Sequence, residues 1–176
     1  MSLLSEVAET LDTAGIRHAL VGAMALAAYG VNRATADIDL LTIDAVCLTP
    51  DFWSDLKSRG IDVRIRKGDF TDPLAGVVRC GSPGEIPLDV VVGKFTWQRK
   101  ILDRAEPLGE RRVVRAADLI LLKLYAGGPQ DAWDIQQLLM APARDTWVQE
   151  VEPRLSDLPA ACSELWNKVL AGSESM

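Results

Sequence analysis

Apolar positions along this chain recur first in a mixture of helical and alternating patterns and then almost wholly at helical spacing. Leu3, Leu4, Val7, Ala8 and Leu11 predict an amphipathic helix that ends near Gly15. His18, Ala19, Leu20 and Val21 form a short apolar run that predicts a buried strand breaking at Gly22. Residues 23–29 are rich in helix formers and stop at Gly30. Residues 37–42, with Ile38, Leu40 and Leu41, predict a strand buried on at least one face. Pro50, followed by Phe52, Trp53 and Leu56, predicts a helix closed by Gly60, and residues 61–65 alternate apolar with charged, as a half-exposed strand does. Two further strands, 76–80 and 86–92, flank the turn signal Gly81-Ser82-Pro83-Gly84. From Phe95 onward helices are predicted at 96–104, 116–126, 129–140, 144–151 and 157–170, interrupted by a short strand at 112–115. Residues 172–176 read as a frayed polar tail. Strands early and helices late predict an α+β fold: a mixed sheet over residues 1–115 and a C-terminal helical layer over 116–172, packed on that core as one domain or two.

Composition narrows the class. At 176 residues, with 48% apolar and 25% charged positions, the chain is an ordinary globular protein. Its net charge of −6 argues against broad, sequence-independent binding to nucleic acid or anionic membrane. Cys47, Cys80 and Cys162 are scattered and outside any metal-ligand spacing, so reduced thiols are expected. The single histidine, His18, leaves little room for His-ligated zinc or a Ser-His-Asp triad, and reads as structural. The apolar stretch 19–31 is shorter than the roughly 20 residues of a membrane span. Residues 1–10 lack a basic start, so no secretory signal is read there and a cytoplasmic location is expected.

The chemistry concentrates in Val21-Gly22-Ala23 and in Arg33-Ala34-Thr35-Ala36-Asp37-Ile38-Asp39-Leu40. Residues two apart on a strand share a face, so Asp37 and Asp39 stand about 7 Å apart at their Cα atoms. Such a pair suits Mg²⁺, or two metals that clamp the attacking and leaving oxygens of phosphoryl transfer. A solvated strand face is the plain alternative, but the neighbouring apolar residues set these carboxylates beside a core, where unpaired they repel. Gly22, ending a strand and opening a helix, offers free N–H groups to a phosphate, or is simply a tight turn. Asp89 lies in the apolar run Leu88-Asp89-Val90-Val91-Val92, where a charge needs a compensating cation or an exposed edge.

Together, the strand, Gly turn, helix, Arg-x-Thr-x-Asp-Ile-Asp and later Asp resemble the polymerase-β-like nucleotidyltransferase superfamily. Within it they resemble the AbiEii-type family of small bacterial enzymes, many of them toxins of toxin–antitoxin pairs. Asp118 to Ala126, with Lys123, followed by Asp131-Ala132-Trp133-Asp134, is similar to that family's lysine helix and Asp-x-x-Asp helix. The resemblance spans about residues 20–139. It implies a mixed-sheet nucleotidyltransferase fold and a Mg²⁺-dependent transfer of a nucleoside monophosphate from an NTP to an acceptor hydroxyl. It implies that Asp37, Asp39 and Asp89 hold the metal, with Asp89 as or beside the base. Gly22 and Ala23 would admit the triphosphate, and Lys123 and Asp131 would carry nucleotide or phosphate contacts. The family usually has Gly-Gly or Gly-Ser where this chain has Gly22-Ala23, and alanine supplies no hydroxyl.

Several residues carry two readings each. Lys123, inside an apolar helix, snorkels to solvent or stabilises a leaving pyrophosphate. Asp131 either favours its helix N-terminus by charge or points inward with Ile135 and Leu138. Arg33 and Thr35 position the carboxylate strand, Arg33 reaches a phosphate, or it pairs with Asp37 or Asp39. Trp97, Trp133, Trp147 and Trp166 are expected in the core. Arg99, Lys100, Arg104, Arg111, Arg112 and Arg115 form the one concentrated basic region in the linear sequence. The acceptor, whether tRNA, a protein or a small molecule, is not legible; the toxin branch would add an antitoxin. The rival function is a non-catalytic nucleotide- or partner-binding module on a degenerate nucleotidyltransferase fold.

Overall fold

The structure is a computed structural model that describes residues 2–173. The chain divides into two compact units. One holds the described residues up to Met24 together with Ala34–Val114; the other holds Ala25–Arg33 and the described residues from Arg115 on.

The first unit is built on a mixed sheet of strands β1 (Ala19–Val21), β2 (Ile38–Thr42), β3 (Asp62–Lys67), β4 (Gly76–Gly81), β5 (Leu88–Val92), β6 (Glu106–Leu108) and β7 (Arg111–Val113). Their order across the sheet is β3-β4-β5-β2-β1-β7-β6. The β2–β5 and β1–β7 pairs are parallel and the other pairs antiparallel. Alternation sorts the side chains: Val78, Cys80, Leu88, Val90, Val92 and Leu40 are buried on one face. Helix α1 (Leu3–Thr13), capped by the Ser2 hydroxyl, turns Leu3, Val7, Ala8 and Leu11 inward and packs on β4. A 3₁₀ turn, Ala45–Leu48, packs on β4 and β5, and α4 (Thr96–Arg104) on β2. Trp53 is fully buried and its indole N–H donates to the Cys47 carbonyl at 2.7 Å, so its polar atom is satisfied. Helix α2 (Gly22–Ala28) begins directly after β1.

The second unit is helical. Helix α5 (Ala116–Ala126) is buried around most of its circumference and contacts α6 (Pro129–Leu138), α7 (Arg144–Val151) and α8 (Ala160–Ser173). It ends at Gly127, whose φ of +69° closes the last turn. Two ion pairs meet the start of α5: Arg115 pairs with Glu150 at 2.7 Å, both half-buried, and Arg154 with the buried Asp118 at 3.3 Å.

Several expectations shift. The Pro50 segment is a 3₁₀ turn, Pro50–Trp53, before a short α-helix α3 (Ser54–Ser58), because spacing of three suits both helix types. The last strand is paired in a hairpin, β6–β7, and ends at Val113 rather than Arg115. Gly172 and Ser173 belong to α8, so the frayed tail does not begin at 172; residues 174–176 lie outside the described residues. Trp97 and Trp166 are buried and Trp147 is half-buried with its ring against Tyr29, but Trp133 is 41% exposed on α6. No described helix is long and apolar enough to cross a membrane.

Candidate active site

Strand register gathers the carboxylates of the first unit. Parallel pairing places Asp39 of β2 directly beside Asp89 of β5. Antiparallel pairing places Arg79 of β4 beside Asp89 on its other side, and Arg64 of β3 beside Arg79. Adjacent residues in register project from the same face, about 5 Å apart between strands. One row therefore reads Arg64, Arg79, Asp89, Asp39 on the face opposite the buried Leu88 and Val90. Asp37 precedes β2 at the same parity, and Thr35 Oγ1 lies 2.8 Å from its carbonyl oxygen and 3.3 Å from its Oδ1. Arg79 Nη1 is 3.0 Å from Asp89 Oδ2 and 3.9 Å from Asp37 Oδ2, bridging two carboxylates.

Asp89 is the polar group this arrangement satisfies least. Its side chain is 16% exposed, and Oδ1 is buried without a hydrogen-bond partner among the described residues. Burial raises its pKa above the ordinary carboxylate value; Arg79 opposes the rise, Asp37 adds to it and Arg66 opposes it again.

Gly22 completes the constellation. Its φ is +61°, and a Cβ there would stand 2.1 Å from Asp39 Oδ2. The Asp39 carboxylate thus lies over the glycine Cα, a contact that any side chain at residue 22 would block. Ala23 follows with its methyl buried.

The remaining expected residues belong to the helical unit. Lys123 does not snorkel: it is buried, and its Nζ is 2.5 Å from Asp134 Oδ2 and 3.2 Å from Asp131 Oδ1. Asp134, fully buried, also accepts from Arg33 Nε at 3.1 Å and from Gln130 Nε2 at 3.2 Å. Both readings of Asp131 hold at once, since its Oδ2 accepts the Gly128 N–H at 3.1 Å at the start of α6. Two cations and two carboxylates balance, as a buried charge cluster must.

Two residues escape a linear reading. Arg79 looks like any exposed strand arginine until the β4–β5 register is known, although the turn at 81–84 would bring it within a residue or two of Asp89. Asp134 enters the sequence only as the second acid of the Asp-x-x-Asp likeness, with no role of its own, and its helical stripe with Leu138 is the sign that it is the buried acid of α6. The basic region expected at 99–115 is matched by a second one that only the sheet assembles, Arg64, Arg66 and Arg79. Arg111 and Arg112 are already engaged, by Ser5 and by the Ala105 carbonyl.

The donor set has the chemistry of a hard dication site: three carboxylates, one oxygen of which is buried and unpartnered. Among the described residues no three His, Cys, Asp or Glu side chains converge closely enough to hold a metal ion in this arrangement. Arg79 supplies the positive charge between Asp37 and Asp89 instead.

No family model and no curated protein matches the chain. Solved structures do. The chain is similar to a protein of H. pylori described as a putative nucleotidyltransferase, with 18% identity over 96% of this chain and 87% of that one, at a TM-score of 0.51. It is also similar to ANT(2″)-Ia in complex with adenylyl-2″-tobramycin, with 14% identity over 94% of this chain and 96% of that one, at a TM-score of 0.54. The chain has the α+β nucleotidyltransferase fold.

Proposed function

We propose that this chain is a Mg²⁺-dependent nucleotidyltransferase that moves a nucleoside monophosphate from an NTP to an acceptor hydroxyl. The observation that carries this is the in-register pair Asp39 and Asp89, with Asp39 seated over Gly22 and Asp89 holding an unpartnered buried oxygen. The fold supports it, as does the AbiEii-type likeness carried by Asp37-Ile38-Asp39 and the lysine helix. In the toxin branch of that family the same chemistry would be aimed at tRNA or protein and restrained by an antitoxin.

Asp37, Asp39 and Asp89 would hold Mg²⁺, which when bound neutralises the triphosphate and polarises its α-phosphorus. Asp89 Oδ1, with no donor of its own, accepts the proton of the acceptor hydroxyl. The acceptor oxygen then bonds to the α-phosphorus, the bond from that phosphorus to the β-bridging oxygen breaks, and pyrophosphate leaves. Burial suits Asp89 to this step, since a carboxylate with a raised pKa is a stronger base. Thr35 fixes the backbone that presents Asp37. Arg79 holds Asp89 Oδ2 and so orients Oδ1. In the helical unit, the Lys123–Asp134–Arg33 cluster fixes one lysine rotamer, and it is the family likeness that assigns phosphate or nucleotide contacts to Lys123 and Asp131.

One observation favours the non-catalytic reading: Arg79 already neutralises Asp37 and Asp89. Thermal stability with each of the four NTPs, with and without Mg²⁺, decides between them when paired with transfer of an α-labelled phosphate. The expected result is a Mg²⁺-dependent shift of several degrees near saturation, and label transfer lost in Asp39→Asn with the fold intact. Transfer at wild-type rate in Asp39→Asn would remove the assignment. An NTP shift without transfer to RNA, protein or small-molecule acceptors would leave the binding module.

A further inference from the structure

The nucleotide side and the acceptor side of Asp89 differ in charge. Toward β2 lie Asp39 and Gly22. Toward β4 and β3 lie Arg79 and Arg64, in the same row, and Arg66 two residues along the same face. Arg64 and Arg79 stand directly opposite each other across β3 and β4, a like-charge pair that by itself weakens the sheet. Asp89 and Asp37 balance Arg79 on its other side, so the charge left over is that of β3. Arg64 pairs with Asp62 of its own strand at 2.7 Å, an exposed contact of small worth. Arg66 is exposed and the structure gives its guanidinium no hydrogen bond or ion pair among the described residues, though its charge is felt at Asp89. An open pocket of about 330 Å³ lies here, lined by Arg64, Ile65, Arg66, Val77, Arg79 and Asp89. It touches the proposed base, and all three guanidiniums border it.

We infer that this arginine pocket binds the acceptor, and that the acceptor carries phosphate close to its reacting hydroxyl. This rests on the reading of Asp89 as the base. A hydroxyl approaching Asp89 from the side away from Asp39 passes between the guanidiniums, where a phosphate is attracted and a polyamine is repelled. Arg64 and Arg66, about 7 Å apart along β3, can hold two successive anionic groups, and their planar forks suit phosphate oxygens. Arg79 is shared between acceptor and base, which ties anion binding to the orientation of Asp89. An aminoglycoside acceptor, such as the tobramycin adduct held by ANT(2″)-Ia, is thereby excluded.

Phosphate of this kind comes from a polynucleotide end or from a small phosphorylated sugar. Phe70 separates the two: it is 95% exposed in the loop between β3 and β4, where an aromatic ring offers a stacking surface to a base.

The test is direct binding to the full chain by calorimetry, using a single-stranded RNA octamer, ribose 5-phosphate and tobramycin as probes. At least one anionic probe should bind more tightly than tobramycin, and Arg64→Glu/Arg66→Glu should weaken it at least tenfold while the Mg²⁺–NTP thermal shift persists. Should that double variant not fold, the wild type still reports: octamer affinity should fall with salt at a log–log slope of about −1.4 to −2, as two or three neutralised phosphates require. Phe70→Ala should weaken the octamer and leave ribose 5-phosphate unchanged if the acceptor is RNA; equal effects or none on a bound octamer assign the small phosphate. Binding of neither anion, equal binding in the double variant, or tighter binding of tobramycin overturns the inference. Failure of the nucleotidyltransferase reading looks different: no NTP shift in the wild type, with anion binding still dependent on Arg64 and Arg66.

Discussion

Asp89 holds a charge that its surroundings oppose on balance. Because burial lifts its pKa, the native state binds that proton more readily than the unfolded chain does. Ionised Asp89 therefore subtracts from stability at neutral pH, and the penalty fades as pH falls through its raised value. Asp89→Asn should abolish transfer yet leave stability unchanged or higher, by up to about 1 kcal/mol after solvent screening. Chemical denaturation at pH 7 in a chelator reads this; a loss above about 1 kcal/mol would mean that the Arg79 pair outweighs burial. Arg79→Ala acts in the opposite sense, leaving Asp37 and Asp89 to repel each other. Its Tm should fall in chelator and recover with Mg²⁺ by more than the wild type gains. An equal Mg²⁺ response in both would show that Arg79 and the metal do not share these carboxylates. That Asp37 and Asp39 share one parity and that Asp89 lies in an apolar strand was legible, because spacing of two and an apolar setting are properties of a linear sequence. Arg79 was not, since its role depends on which residue of another strand it faces.

At the level of elements, legibility followed how many signals agreed. Helices α4, α5 and α7 each run over the residues expected from the sequence: α4 carries a single apolar stripe, whereas α5 is apolar almost all round and is closed by Gly127. Strand β6 was missed because Glu106-Pro107-Leu108 contains a proline, which only a sheet edge tolerates, and β6 is that edge. The β1–α2 junction is where an element boundary becomes chemistry. Gly22 combines a positive φ with the nearest approach of Asp39, so Gly22→Ala meets both backbone strain and a clash, its Cβ standing 2.1 Å from Oδ2. The expected loss is about 1–3 kcal/mol, together with a weakened Mg²⁺ response as Asp39 is pushed aside. Measuring Tm with and without Mg²⁺ tests both parts, and a variant with wild-type stability and wild-type Mg²⁺ response would deny Gly22 its place under Asp39.

For the whole molecule, net charge was the least informative number. The chain totals −6, yet its acids and bases are segregated, with arginines collected on one sheet edge and a neutral charge cluster buried among helices. The two compact units have separate cores, and the cysteines are distributed between them: Cys47 and Cys80 in the sheet unit, Cys162 in the helical one. Burial pushes the Cys47 and Cys80 thiols up to about 12 and raises Cys162 as well, so at pH 8 none should react with a thiol reagent until its surroundings open. That makes the thiols reporters of each core. Asp134→Ala takes a fully buried carboxylate away from Lys123 and Arg33, leaving Lys123 with Asp131, and should remove about 3–5 kcal/mol from the helical unit. Cys162 labelling should then accelerate by two orders of magnitude or more, with Cys47 and Cys80 following only as far as the sheet core depends on the helical one. If Cys162 kept its wild-type rate in Asp134→Ala, the Lys123–Asp134–Arg33 cluster would not be what holds α5 and α6 together, and its acids would be free to serve the nucleotide alone.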